Sequence, residues 1–358
     1  MSIADTLLRK SRTLISQVAD FRSDPLASLA AVKKGFADRG QPANPQLVFR
    51  VREAYRAAKR DQAGAAPFYQ PTGEWITIIA EKLQLLSDDV GPLTKVLENM
   101  FRNDAVASIA DRSDPKALST WYTKVGFANA ALHDYQVWRK LIGGDLTALN
   151  APPVGNPCGY WIGDTLVMGS TFRHHYTTSR ILTLLGGPGT VAEIGGGYGE
   201  CGHFALQHRG VTYLDFDLPE VLLIASFWLC SVNPTATVAL YGESDPQTVL
   251  ADPRRYDAVL YPNYCLPTLP DMSVDVLFNT RSLSEMDVGT IREYLAHIAR
   301  CTRGYFYHEN SDVAFQTHGH VEIPASSFAI DGFRLLSKTI SPWYAGAGRY
   351  REFLYART

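Results

Sequence analysis

A chain of 358 residues with 46% hydrophobic and 20% charged side chains has the composition of a folded protein, long enough for one large domain or two ordinary ones. Its formal net charge of -2 excludes a generally basic nucleic-acid binder; the twelve Lys/Arg against five Asp/Glu in residues 1–60 read as solvated helix faces. Five scattered cysteines without a C-x-x-C pair, no charged leader and no apolar run of about 18 residues point to a reducing, cytoplasmic setting without disulfides, zinc knuckle or membrane span.

Residues 1–150 read as a helical domain. Apolar periodicity marks helices near 5–20, 45–60, 74–87 and 92–102, separated by "GQPANP" and "APFYQPTG". The clearest helix starts at Asp114-Pro115, an N-cap followed by proline. It runs through Leu118, Trp121, Tyr122, Val125, Leu132, Tyr135 and Trp138, and stops at Gly143-Gly144. Residues 151–188 hold a hairpin turning at Gly163-Asp164 and a linking helix, "TFRHHYTTSRILTLLG".

From 189 to 358, strands and helices alternate. The strands are "TVAEI", "VTYLDF", "ATVALY", "DAVLY", "VDVLFN", "GYFYHE" and "YREFLYA"; the helices are "PEVLLIASFWLC" and "VGTIREYLAHIARC". This is the pattern of an α/β domain, a mostly parallel sheet with helices on both faces, with the last strand as an antiparallel edge.

The stretch "VAEIGGGYGECG" places a glycine loop directly after the first of these strands, where a parallel sheet brings backbone closest to its ligand. No Lys and Ser/Thr follow Gly199, so a P-loop is excluded. A dinucleotide loop lacks its third glycine, and Glu193 before the loop would repel a pyrophosphate while suiting a cationic ligand. Asp217, about 20 residues on at the end of the second strand, can accept two ribose hydroxyls and also cap the helix starting at Pro219. Asp215 shares its face but lies further inside.

The run Glu193-Ile-Gly-Gly-Gly-Tyr-Gly resembles the first motif of Rossmann-like S-adenosylmethionine-dependent methyltransferases, and Asp217-Leu218-Pro219 resembles the ribose-binding segment of small-molecule O-methyltransferases. "VDVLFNTRSLSEMD", with Asn279, is similar to the motif that ends against the transferable methyl group. Together, over roughly residues 155–310, these resemble bacterial sugar O-methyltransferases. The resemblance implies S-adenosylmethionine as cofactor, held by Glu193, Gly195, Gly197, Tyr198, Asp217, Leu218 and Asn279. It also implies methyl transfer to an oxygen of a small polar metabolite, a sugar or glycosyl intermediate. A non-sugar, amino-acid-derived acceptor with O- or N-methylation, and a non-catalytic cofactor-binding protein, stay open, as does a dinucleotide enzyme.

A hydroxyl acceptor needs a base. Glu285 occupies the place where plant small-molecule O-methyltransferases carry a histidine, and His308 at the end of the next strand is the alternative. Ser282, Glu309 and Asn310 are expected on the same rim, with Tyr160 and Trp161 as an aromatic wall for the acceptor. Trp121, Tyr122 and Trp138 fall at core spacing. No metal site is expected, because His174, His175, His318 and His320 lack tight ligand spacing. Adenine is expected at either "YGESD" or "YPNY", with one strand more than the fold needs. The expected partners are a small-molecule acceptor and a second copy through the helical domain, with neither nucleic acid nor membrane.

Overall fold

A computed structural model describes residues 32–35, 40–81, 83, 89–102, 106, 121–317, 320–344 and 349–358. The helices expected near 5–20 and at 114–120 fall outside them. The small sheet joins β1 (Val32–Gly35), β2 (Gly159–Ile162) and β3 (Thr165–Val167), all antiparallel. The hairpin turns at Gly163-Asp164 as expected, whereas β1 is a strand inside a stretch read as helical. Four residues carry too little periodicity to reveal a strand that exists by pairing with β2.

The helices before the main sheet are α1 (Pro45–Gln62), α2 (Glu74–Glu81), α3 (Val90–Glu98) and α4 (Trp121–Leu141). Helix α1 starts where Asn44 accepts a bond from the Gln46 N–H and Pro45 supplies the first helical residue. It buries Val48, Val51, Ala54 and Ala58, spaced three or four apart. The linking helix α5 (Thr171–Leu185) ends at Gly186, whose φ of 71° suits the glycine there.

The main sheet contains β4 (Gly189–Ile194), β5 (Val211–Asp217), β6 (Val238–Leu240), β7 (Ala258–Pro262), β8 (Val274–Thr280), β9 (Thr302–Ser311), β12 (Phe333–Ile340) and β13 (Tyr350–Arg357). The two-residue strands β10 (Gln316–Thr317) and β11 (His320–Val321) pair only with each other. The strand order is β12-β13-β9-β8-β4-β5-β7-β6, parallel except where β13 pairs with β9 and β12. Helices α6 (Glu200–Ala205), α7 (Pro219–Val232), α8 (Pro246–Ala251) and α9 (Val288–Cys301) connect them. This is a Rossmann-like, doubly wound α/β sheet.

Side chains alternate across it. Val191, Tyr213, Val276, Phe278 and Tyr307 join one core cluster with α1, α5 and α7, while Ala192, Ile194, Leu214, Phe216, Leu277 and Phe306 join another with α8 and α9. Helix α7 is apolar nearly all round because it lies between the sheet and α1; Lys59 of α1 meets the buried Glu220 of α7 at 2.7 Å. Two expectations change. The last strand, β13, is antiparallel but internal, because β12, mostly exposed and without alternating apolar residues, covers it. The surplus strand is β6, at the opposite edge, so β7 is the neighbour of β5.

Trp228 of α7, fully buried, contacts the Tyr198 ring edge-on at 5.1 Å and so ties the helical layer to the glycine loop. Trp228→Ala should cost about 3–5 kcal/mol. Urea unfolding would show this as a lower midpoint with an unchanged slope.

Candidate active site

Strand order reverses beside β4, since the chain moves outward through β5 and returns to place β8 on β4's other side. Such a reversal opens a crevice beyond the carboxyl ends of the strands. Here it holds a cleft of about 340 Å³. Its floor is Glu193 to Tyr198, the end of β4 and the loop after it, with Asp217 at the end of β5 and Leu218 beyond it. Asn263 follows β7, Thr280 ends β8, and Arg281, Ser282, Glu285 and Met286 follow it. Phe68, Gln70, Pro71, Thr72 and Trp75 form a wall from before the sheet, and Ser170, Arg173 and His174 form another from the start of α5.

Backbone makes the floor. Gly195 and Gly197 have φ of 77° and 61°, and a Cβ on Gly195 would lie 2.3 Å from Ser282 Oγ. At Gly196 the constraint is space: a Cβ would lie 2.6 Å from an Asp215 carboxylate oxygen. The Gly196 N–H donates to Asp215 Oδ1 at 3.2 Å, and the Gly197 N–H to Asp217 Oδ2 at 3.2 Å.

Three acids therefore crowd beneath and beside the loop. Glu193 is 1% exposed, accepts a 2.6 Å bond from Tyr213 Oη, and is pushed up to about 8, first by burial and then by Asp217. Burial, followed by the charges of Asp217 and Glu193, pushes Asp215 well above the usual carboxylate range. Burial, with Glu220 behind it, raises Asp217 to about 7 against the pull of the Leu218 and Gly197 N–H groups. Among the described residues none of the three forms an ion pair with Lys, Arg or His. Glu193 and Asp217 line the cleft, Arg173 acts on Glu193 without pairing with it, and such acids are a candidate site for positive charge.

Glu285 stands at the other end, on the turn Leu283–Glu285, with its Oε2 accepting from Trp75 Nε1 at 3.3 Å. Ser282 Oγ is held by Ile194 O and Asn279 Nδ2. The Arg281 guanidinium pairs with the buried Glu309 at 2.9 Å and lies over the Tyr350 ring.

Glu193, Gly195, Gly197, Tyr198, Asp217, Leu218, Ser282 and Glu285 thus meet in one cleft, and six other expected residues do not line it. His308 is fully buried, stacked at 4.6 Å on Phe353 and beside Phe328, and burial holds it down at about 3; it is a neutral core histidine, not a base on the rim. Asn279 and Asn310 are joined at 2.7 Å beneath the cleft, where they hold Ile194 O and the Leu283 and Ser284 N–H groups. Glu309 is spent on Arg281 and Ser341. Tyr160 and Trp161 lie in β2; Tyr160 packs with Trp138 and Phe172.

Of the two adenine loops, Asn263 of "YPNY" faces the cleft and "YGESD" does not. Asn263 belongs to a loop expected for adenine, whereas Arg173, Ser170 and the 68–75 wall carry no motif, so sequence reasoning passes over them. The one available signal for the wall was the Pro-containing stretch "APFYQPTG", which marks a loop. The groups of His, Cys, Asp and Glu among the described residues include none of three or more suited to a metal, and no described helix is long and apolar enough to cross a membrane.

No protein-family model and no curated protein matches the chain. Among solved structures it is similar to 1,6-didemethyltoxoflavin-N1-methyltransferase of Burkholderia thailandensis, at 15% identity over 52% of this chain and 78% of that one, with a TM-score of 0.36. It is similar to the N-terminal domain of EvdMO1, solved in the presence of S-adenosylhomocysteine and D-fucose, at 11% identity, 51% and 82% coverage and a TM-score of 0.34. A methyltransferase from Aquifex aeolicus gives 13% identity, 51% and 89% coverage and a TM-score of 0.32.

The raised acids make stability fall with pH. Glu193 holds its proton up to about 8 when folded and loses it near 4.5 when unfolded, so its contribution is full below 4.5 and is lost as pH rises through 8. Glu193→Gln removes that dependence. Thermal melts from pH 5 to pH 9 should show a steeper decline in midpoint for the wild type than for the variant.

Proposed function

We propose that the chain is an S-adenosylmethionine-dependent methyltransferase acting on an oxygen of a small polar metabolite, a sugar or glycosyl intermediate. The observation that carries this reading is the pairing of Glu193 and Asp217, raised acids without cation partners, at the two ends of one glycine floor. The cradle fits such a cofactor: its floor has no room for a Cβ on Gly195 or Gly196, and Glu193, which holds its proton up to about 8, can give it up to meet an ammonium.

In this reading Glu193 ionises against the amino-acid ammonium and Asp217 accepts the ribose hydroxyls. Leu218 and Asn263, whose Oδ1 is buried without a partner, flank the adenine. When bound, the cofactor supplies an electrophilic methyl group on a sulfonium. What remains for the protein is to position an acceptor hydroxyl and take its proton. Glu285 does the second: the Trp75 N–H holds one of its oxygens, and the carboxylate accepts a hydrogen bond from the hydroxyl and removes the proton as transfer proceeds. Phe68 and Trp75 offer aromatic faces, and Gln70 and Thr72 polar groups, on the wall opposite the floor. That mixture supports a sugar-sized, hydroxylated acceptor.

Calorimetry should show S-adenosylhomocysteine binding and no NAD binding. At pH 7 binding should release up to one proton, read from the dependence of enthalpy on buffer, and Glu193→Gln should release less. In assays with labelled S-adenosylmethionine and a panel of monosaccharides, sugar nucleotides and amino-acid-derived phenols, a sugar should be methylated on oxygen. Glu285→Gln should lower kcat by about 10²-fold or more with cofactor affinity unchanged. NAD binding alone would overturn the cofactor assignment, and turnover confined to the phenols would overturn the acceptor.

A further inference from the structure

The mouth of the cleft carries an apolar rim that is exposed and yet held in place. Phe68, in the turn Pro67–Tyr69, lines the cleft and is 40% exposed. Its neighbour Tyr69 is buried, with its hydroxyl hydrogen-bonded to His297 at 2.8 Å and its carbonyl accepting from Asn263 Nδ2 at 3.2 Å. The turn is therefore pinned with Phe68 outward. The Phe68 ring reaches the first turn of α9, where a Cβ on Gly289 would lie 3.7 Å from it and the adjoining Val288 is 44% exposed. Ile76, which follows Trp75 on α2, is 59% exposed, and Met286 carries the apolar lining inward. Exposed apolar side chains continuous with a cleft mark a surface for ligand.

The charges at this end do not suit a phosphate. Among the described residues the cationic side chains lining the cleft are Arg173, His174 and Arg281. Arg281 pairs with Glu309, His174 pairs with Glu200, and Arg173 acts on Glu193 at the floor. The acids near the rim are Glu285 and, beyond Met286, Asp287. Asp287 occupies the N-terminus of α9, accepting from the Thr290 N–H at 2.9 Å and Thr290 Oγ1 at 2.8 Å, so that helix end is closed to an anionic ligand. Arg292, a turn further along α9, does not line the cleft.

We propose that the acceptor is a glycoside: an uncharged sugar at Glu285 carrying an apolar aglycone that leaves the cleft over Phe68 and Val288. This rests on the methyltransferase reading and narrows its acceptor. A sugar nucleotide offers the same hydroxyls, but its diphosphate would meet Glu285 and Asp287 without a cleft cation to balance it. A free sugar would leave the rim bare, whereas an aglycone removes it from water. The place in a reaction sequence follows. A glycosyl transfer, which joins the anomeric carbon of the sugar to the aglycone and releases the nucleoside diphosphate, supplies this substrate, and methylation comes after it.

The test uses the full chain and a panel of hexoses and deoxyhexoses, each as the free sugar, the methyl glycoside, the octyl glycoside below its micelle concentration, and the nucleoside-diphosphate sugar. Calorimetry on the protein loaded with S-adenosylhomocysteine should show the octyl glycoside binding roughly tenfold or more tightly than the methyl glycoside, the order expected when several methylene groups leave water. The sugar nucleotide should bind more weakly than either, and labelled S-adenosylmethionine should give the same order in kcat/KM. Phe68→Ser and Val288→Ser should each raise KM for the octyl glycoside several-fold and shrink the advantage of its chain, with S-adenosylhomocysteine affinity reporting an intact fold. Equal affinity for methyl and octyl glycosides overturns the inference, as does a sugar nucleotide as the best substrate or an octyl advantage that survives both serine substitutions. Methylation of a phenol with every sugar form refused overturns the acceptor reading on which the inference rests, and failure to bind S-adenosylhomocysteine overturns the cofactor reading. Both differ from sugar binding without an effect of chain length.

Discussion

The contact between Gly196 and Asp215 sets the terms for the rest of the structure. The chain leaving β4 must pass over the carboxyl end of β5, and it passes so close that a side chain on residue 196 would enter the Asp215 carboxylate. In return the Gly196 N–H satisfies one of that carboxylate's oxygens. The same passage draws Gly197 onto Asp217 and leaves Glu193 in line with Asp215 on the adjacent strand. Three acids are thereby gathered where burial disfavours their charge. A fold that buries acids so densely without pairing them to cations is more stable with them protonated, and in the proposed reading a cationic ligand relieves the same strain. Stability and binding are therefore two readings of one arrangement.

The topology explains why this tension sits at a cleft and not in the core. Strand order reverses next to β4, and the loops after β4 and β8 diverge to opposite sides. The gap is bridged from below by Asn279 and Asn310, which hold the end of β4 and the turn after β8 through buried hydrogen bonds. Those asparagines show how a polar pair near a site can serve geometry instead of ligand contact. Their burial satisfies backbone groups that would otherwise be unpaired under an open crevice.

Legibility in the sequence followed locality. The glycine floor, Glu193 and Asp217 are short-range patterns: a strand, a turn without side chains and a carboxylate at the next strand's end. Each has a local cause, so the sequence reveals them. His308 shows the limit. Its place at the end of β9 suggested the rim, but Phe353 and Tyr355 arrive from β13, some fifty residues later in the chain, and enclose it. Strand β12 escaped notice because it is an exposed edge with no buried stripe, and β1 because its existence depends on β2. Helix α7 reads as buried on all sides, yet nothing local says that α1 covers it.

The same distinction runs through the cleft. The floor is built from the ends of two neighbouring strands, β4 and β5, and in the proposed reading it meets the part of a ligand that every reaction of this kind would share. The opposing wall is side chain: Phe68, Gln70, Thr72 and Trp75 come from a loop and the first turn of α2, more than a hundred residues before the glycines. Trp75 reaches across to Glu285, so the group proposed for proton transfer is tied to the wall. Changes in residues 68–75 would therefore alter both which acceptor fits and how well Glu285 is placed, while the floor and its acids stay as they are. In the proposed reading, acceptor choice and proton transfer are coupled through the Trp75–Glu285 hydrogen bond, while the donor is held by the floor.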